Sequence, residues 1–379
     1  MPKLYENFGV YVHVPFCAKP CGYCRFYKKI PSKQDVEFYL RALETEAGLF
    51  FAENPDAPRP DTMFWGGGTP SALSPEQMVR AAEILGRLKP AGEWTVEVSP
   101  SSIDAEKLDA LKQIGATRIS LGVQSFSEKT LRELGRAHTL EATLSSIELV
   151  KNAGFEHFSI DLIFGSKTQT AEDFAADLER AAACGVDHIS AYCLEFESGT
   201  SACAGLKTDA QLEKNASDAD LFELAMRRLP QLGFAQYEIS NYAKCESARC
   251  VHNLSTWAMA QWVGLGPSAA SQFGGFRYRN KPNIAEWARA LQCGKHARED
   301  VVPLDDAEMF SSALIFGLRT NAGVDLPTLE ARFPSADAEK YEEPIRRLCA
   351  QNLLERDGGA LRLTFEGRLL ADYVAVELL

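Results

Sequence analysis

The chain has 379 residues, 46% of them hydrophobic and 24% charged, a globular composition with room for one large α/β domain and a smaller one. Its formal net charge of −12 lacks the attraction that nonspecific nucleic-acid or anionic-membrane binding needs. No stretch approaches about eighteen apolar residues, and MPKLYENFG has no basic patch followed by an apolar run. Neither a membrane span nor a signal peptide is expected, so the cytoplasm is the default compartment.

GVYVHV (9–14) reads as the first strand and runs directly into CAKPCGYCRF, which packs Cys17, Cys21 and Cys24 into eight positions. Ten cysteines in a reducing compartment are a poor disulfide framework, so a tight group of three points to metal binding or catalysis. TMFW (62–65), WTVEV (94–98), RISLGV (118–123), HFSIDLIF (157–164) and HISAYCL (188–194) follow as further strands. Between them lie helical segments such as VEFYLRALETEAGLFF, PEQMVRAAEILGRL, AEKLDALKQIG and AEDFAADLERAAACG, several opening after Ser, Thr or Asp and closing at Gly. Six alternating strands predict a parallel sheet with right-handed crossovers. They are too few for a complete eight-stranded barrel, which favours an α/β fold built as a partial (β/α)6 barrel; a doubly wound open sheet is the competing topology.

Residues 241–283 are rich in glycine and aromatics and read as irregular structure. Beyond them AEMFSSALIFGLR reads as an amphipathic helix, and PIRRLCAQNLLERDGGALRLTFEGRLLADYVAV as helix, hairpin, helix. The expected division is a core over 1–240, a connecting segment over 241–300 and a small helical, winged-helix-like domain over 301–379. With no basic recognition helix, that tail is expected to be a packing module.

In parallel α/β folds the reactive groups gather after the C-terminal ends of the strands. The cysteines follow GVYVHV, GGGTPS (66–71) follows TMFW, Glu97 ends WTVEV, Gln124 follows ISLGV, and Asp161 lies within the fifth run. Singly, each has an ordinary structural reading; together they point to one face of one barrel. A zinc site would want a fourth Cys or His, and the usual C-x-x-C knuckle pairs are absent. Three thiolates at C-x3-C-x2-C suit an iron–sulfur cluster, and three ligands for four irons leave one iron open.

YVHVPFCAKPCGYC, FWGGGTPS, the Glu97 strand, ISLGVQSF, LGRAH, IDLIFG and YEISNYA resemble, in order and spacing, the radical S-adenosylmethionine (SAM) proteins of the coproporphyrinogen III oxidase class, nearest to the HemW-type heme chaperones. The resemblance covers nearly the whole chain. It implies a [4Fe–4S] cluster on Cys17, Cys21 and Cys24 whose open iron is chelated by SAM, which one electron cleaves to methionine and a 5′-deoxyadenosyl radical. It also implies SAM contacts from Tyr11, Gly67, Gly68, Thr69, Glu97, Gln124, Arg136 and Asp161. Gly66, Gly67 and Gly68 would let the backbone approach SAM. Glu97 and Asp161 would accept from its ammonium or ribose hydroxyls, and Arg136 would donate to its carboxylate. The implied partners are heme or a porphyrin, an electron donor of flavodoxin or ferredoxin type, and a client hemoprotein.

Phe26 stands where the oxidases carry a further cysteine, and only sixteen residues precede Cys17, both as in the HemW type. CVHNLSTW (250–257) resembles the family's heme-associated HNxxYW, with Thr256 in place of tyrosine. His252 is thereby a candidate heme ligand, although a histidine beside Asn and Trp is more often hydrogen-bonded structure. Cys245, Cys250 and His252 form C-x4-C-x-H, which lacks a fourth zinc ligand. Arg249, Arg277, Arg279 and Lys281 could pair with propionates or be ordinary solvated charges. Arg25 and the VSPSS after Glu97 also depart from the family pattern; a cation beside the cluster should raise its potential. The leading expectation is a heme chaperone. Its rivals are oxidative decarboxylation of coproporphyrinogen III, tetrapyrrole methylation or ring opening, and a plain electron carrier, which would need no SAM pocket.

Overall fold

The structure is a computed structural model that describes residues 8–194 and 208–379; the N-terminal stretch read for a signal peptide lies largely outside them. Six strands alternate with helices from the start: β1 (Phe8–Val14), β2 (Thr62–Gly67), β3 (Trp94–Val98), β4 (Arg118–Gln124), β5 (His157–Phe164) and β6 (His188–Cys193). The intervening helices are α1 (Lys33–Glu53), α2 (Pro75–Ile84), α3 (Ala105–Ile114), α4 (Glu128–Glu133), α5 (Leu140–Ala153) and α6 (Ala171–Ala183). Their ends follow local chemistry. Ser32, Ser74 and Thr170 close capping boxes on α1, α2 and α6, and α3 and α5 stop at left-handed Gly115 and Gly154.

The six strands pair in parallel in the order 1-2-3-4-5-6. A doubly wound sheet would reverse direction part-way, and this one does not. Sequential right-handed crossovers put every helix on one face, so the other face closes round an interior as a partial barrel. Outward residues such as Val10, Val12, Trp65, Val96, Ile119 and Ile160 form the main hydrophobic core with the helices. The alternate, inward positions carry Tyr11, His13, Glu97, Ser120, Asp161 and Ser190. That period of two separates packing from chemistry.

The segment 241–283 is not irregular. α7 (Thr208–Gln231) leads to β7 (Ala235–Glu238) and β8 (Asn241–Ala243); β8 pairs antiparallel with β6, and β7 antiparallel with β8 at the sheet edge. After α8 (Val251–Trp257), β9 (Gln261–Leu265) pairs parallel with β1, and β10 (Ala270–Phe273), β11 (Phe276–Asn280) and β12 (Arg298–Pro303) continue antiparallel around α9 (Ile284–Gln292), giving a twelve-stranded sheet. The glycines that read as loop signals serve close approaches and a tight turn. A Cβ on Gly264 would lie 2.2 Å from the Ala270 carbonyl oxygen, and Gly274 and Gly275 turn the β10–β11 hairpin at φ 63° and 82°.

The C-terminal segment folds as α10 (Asp306–Gly317), β13 (Val324–Asp325), α11 (Leu326–Arg332), α12 (Glu342–Ala350), β14 (Leu354–Asp357), β15 (Ala360–Leu363), α13 (Phe365–Leu369) and α14 (Ala371–Glu377). Its small sheet, in the order β13-β15-β14, and the turn at Gly358 make the expected hairpin between helices. Phe310, Leu314, Ile345, Leu348, Leu361 and Val374 form a second core that also takes in Met259, just after α8. Arg332 donates to the Ala258 and Met259 carbonyls at 3.0 and 2.9 Å, bracing that helix from outside.

Candidate functional site

Beyond β1 the chain forms a lobe closed at its base by two backbone bonds, Cys17 N to Lys29 O at 3.0 Å and Lys29 N to Pro15 O at 2.7 Å. Within it the Cys24 amide turns back to the Cys21 carbonyl, and the Lys28 ammonium donates to the Cys24 carbonyl. Cys17, Cys21 and Cys24 all border one small cavity of about 70 Å³ with Thr69 and Arg136. Thr69 Oγ1 lies 3.5 Å from Cys17 Sγ, and Arg136 Nη1 donates to Cys21 Sγ at 3.5 Å. Burial pushes the Cys17 thiol up, opposed by Thr69, and the other two cysteines push it further. Three adjacent thiols that repel one another as anions, faced by a guanidinium, suit a group that supplies positive charge. Among the described residues no three His, Cys, Asp or Glu groups converge on a single ion. A four-iron cluster needs one thiolate at each of three separate corners, which this donor set offers.

Next to the cysteines the barrel interior opens as a cavity of about 660 Å³. Gly67, Gly68, Thr69, Glu97, Gln124, Arg136 and Asp161 all line it, so the structure brings together nearly all of the SAM contacts expected from sequence. Tyr11 is adjacent: its hydroxyl is 3.2 Å from His13 Nδ1, and burial and then Glu97 raise its phenol. Burial and then the neighbouring Asp161 push Glu97 up to about 8, against a Gly67 hydrogen bond. Burial pushes Asp161 up to about 6, opposed by the Ser120, Ser190 and Ser159 hydroxyls and by Arg136; the Ser120 hydroxyl is 2.9 Å from both carboxylate oxygens. Arg136 also donates to the Gly122 carbonyl at 3.2 Å, yet its buried Nε has no partner. Two carboxyls that burial has made reluctant to ionise thus share a cavity with an under-satisfied guanidinium. A ligand carrying an ammonium, a sulfonium and a carboxylate would supply the cations that let these carboxyls ionise and the anion that Arg136 lacks, so the residues fit SAM.

Two glycines have a further reason beside the one the motif suggested. A Cβ on Gly68 would lie 2.6 Å from the Val14 carbonyl oxygen and 2.7 Å from the Phe16 backbone, and one on Gly67, at φ 95°, would lie 2.3 Å from His13 Nδ1. Their bareness seats the cluster lobe on β2. Sequence reasoning missed Ser120, Ser159, Ser190 and Tyr192, which join Asp161 on the cavity wall. Their signal is a polar residue at every second position within buried strands, as in RISLG and HISAY.

His252 lies apart from the cluster face, at the opposite mouth of the barrel. Glu93 and Arg118 form a buried ion pair at 3.0 Å; Glu93 accepts from the amides of Val251 and His252, and Arg118 donates to the Ala248 and Arg249 carbonyls. They hold α8 across the strand starts as a floor. The His252 ring is 8% exposed, 2.8 Å from the Thr62 hydroxyl through Nδ1 and 5.4 Å from the Phe64 ring centre. Burial pushes it down to about 4, so it is neutral near pH 7. Its Nδ1 is thus engaged by Thr62 within the fold. Cys250 is buried with its thiol 3.3 Å from Glu93, whereas Cys245 is exposed, so no zinc set forms. Arg277 donates to Gln272 and Ser312, and Arg279 pairs with Glu299 and Asp300. Those two are already engaged within the fold.

Residues 11–181 match the radical SAM superfamily and residues 304–370 the HemN C-terminal domain. The chain is 32% identical over 371 residues to heme chaperone HemW of Bacillus subtilis, covering 97% of each chain. It is 34% identical over 384 residues to that of Mycobacterium tuberculosis, covering 99% of this chain and 95% of the relative. This chain belongs to the HemW-type radical SAM family. Other family relatives are mitochondrial, such as radical S-adenosyl methionine domain-containing protein 1 of Bos taurus, at 30% identity over 99% of this chain and 88% of that protein. Coproporphyrinogen III oxidase (HemN) from Escherichia coli shares the fold, with a TM-score of 0.85 at 24% identity over 99% of this chain and 91% of that one. The radical SAM family implies a [4Fe–4S] cluster and SAM, for which the cysteine lobe and the charged cavity supply matching residues. Among the described residues no helix is long and apolar enough to cross a membrane.

Proposed function

We propose that this protein is a cytoplasmic heme chaperone that binds heme and passes it to a client hemoprotein. The observation that carries this reading is end-to-end similarity at 31–34% identity to proteins named heme chaperone, covering 97–99% of this chain and 95–97% of theirs. Phe26, in the position where the oxidases place a cysteine, is 63% exposed at the cavity rim and offers no fourth thiol. Cys17, Cys21 and Cys24 would hold the cluster, with SAM beside it between Glu97, Asp161 and Arg136. When bound, the pair supplies radical chemistry started by one electron from a flavodoxin- or ferredoxin-type donor. The chain's own part is to bind and orient: Arg136 takes the carboxylate end, Glu97 and Asp161 the cationic end, and the floor made by α8 closes the far mouth to water.

The test is to incubate the anaerobically reconstituted protein with SAM, a reductant, and either heme or coproporphyrinogen III. Stable heme retention with no decarboxylated porphyrin, followed by transfer to an apo-hemoprotein, is the expected result. Decarboxylated product would replace the chaperone with the oxidase.

A further inference from the structure

Strand β4 does not run straight into its loop. Its pairing with β5 shifts register between Gly122 and Gln124, and Gln124 takes a left-handed φ of 69°, which a residue other than glycine seldom holds without outside support. The bulge folds the Gln124 side chain back over Gly122, where a Cβ would lie 2.7 Å from Gln124 Nε2 and 3.5 Å from Arg136 Nη2. It therefore sets the Gln124 amide beside the Arg136 guanidinium on the cavity wall.

The bulge is gripped from both sides. From within, Arg136 holds the Gly122 carbonyl and His138 Nε2 lies 3.1 Å from the Val123 carbonyl. From outside, Asp177 of α6 accepts the Ser125 hydroxyl at 2.6 Å on one oxygen and the Phe126 amide at 2.7 Å on the other. The Ser125 oxygen in turn accepts the Ser127 amide at 3.0 Å, and Ser127 caps α4. Asp177 is 3% exposed, and nearby Arg180 donates to the Phe126 carbonyl at 3.4 Å. A buried carboxylate is costly to keep, and this one is spent on the two residues that follow the strained Gln124. Asp177 does not line the cavity.

We propose that Asp177 is a positioning residue for SAM: from outside the barrel it locks the β4 bulge that aims Gln124 into the cavity. The proposal rests on the reading of the cavity as the SAM site. Asp177→Ala should free the Gln124 backbone to leave the left-handed region, while Asp177→Asn keeps both links, its oxygen accepting from the Phe126 amide and its NH2 donating to the Ser125 oxygen.

The experiment titrates the cluster-loaded protein with SAM by calorimetry, without reductant, and measures iron and sulfide per chain. Asp177→Ala should weaken SAM binding at least tenfold at unchanged iron content, and Asp177→Asn should stay within threefold of the parent. Gln124→Gly should weaken binding by itself. Asp177→Ala added to Gln124→Gly should cost no more than about twofold further, because glycine holds a left-handed backbone unaided. Equal factors in both backgrounds, or a lower unfolding midpoint with unchanged SAM affinity, would mean that Asp177 only supports the fold and would overturn the proposal. Should Asp177→Ala fail to fold, Ser125→Ala removes one of the two donors, and unchanged affinity there overturns it equally. If the parent protein itself binds no SAM, the cavity's reading falls and takes the proposal with it.

Discussion

At Gly68 even a single methyl would collide with the backbone of Val14 and Phe16, so the substitution Gly68→Val should lift the cluster lobe off β2 rather than merely narrow the SAM cavity. Iron and sulfide content should fall together with SAM binding in that variant. Full iron content with lost SAM binding would restore direct contact as the reason for the glycine. Cys17→Ala, Cys21→Ala and Cys24→Ala should each abolish the brown chromophore, whereas exposed Cys245→Ala should keep it. His252→Ala removes a buried ring from between Thr62 and Phe64, and should cost about 2 kcal/mol or more in denaturant unfolding. Heme retention should then track the folded fraction; a shifted Soret band at unchanged stability would point instead to iron ligation. The cysteines, GGGTP, Glu97 and Asp161 were legible in sequence because each residue type announces its chemistry. The three serines around Asp161 were not, since a serine acquires meaning only from what converges on it.

The six core strands and their helices could be read from sequence because long apolar runs alternate with helices that carry their own caps and stops. β9 to β12 could not. They are four to six residues long, β9 to β11 contain or adjoin glycines that look like breaks, and the set is anchored by partners far away in sequence. Glu46 of α1 is one such partner: 3% exposed, it accepts from the Gly266 amide at 2.7 Å, Asn280 Nδ2 at 2.7 Å and Trp287 Nε1 at 3.1 Å, tying β9, β11 and α9 to α1. Burial pushes it up to about 7, against those three hydrogen bonds and Arg298. A carboxyl raised on folding binds more protons folded than unfolded, so its contribution is most favourable below its unfolded pKa. That contribution declines as pH rises through the window from 4.5 to about 7. Glu46→Gln should remove this slope. Measured by denaturant unfolding at pH 5 and pH 8, the stability difference should shrink by on the order of 2–3 kcal/mol relative to the parent. An unchanged difference would mean that Glu46 stays ionised across the range.

Over the whole molecule the charge is divided unevenly. Residues 8–34 hold Lys19, Arg25, Lys28, Lys29 and Lys33 and no Asp or Glu, leaving a formal −17 for the rest of a chain whose total is −12. This cationic stretch is the cluster lobe together with its flanks, and Lys19, Arg25, Lys29 and Lys33 are exposed on it, Lys29 beside Asp35. An acidic electron carrier would be repelled by the long-range field of most of the surface and attracted where the electron has to enter. Reduction by a flavodoxin should therefore slow as ionic strength rises, since the Debye length falls from about 30 Å at 0.01 M to about 10 Å at 0.1 M. Lys19→Glu with Lys33→Glu should lower the flavodoxin-driven rate of SAM cleavage by roughly tenfold at low salt and flatten its salt dependence. Cleavage driven by dithionite, a small reductant that needs no docking, should serve as the control and keep its parent rate. A flavodoxin-driven rate that is indifferent to salt and to both substitutions would mean that the donor reaches the cluster by another face.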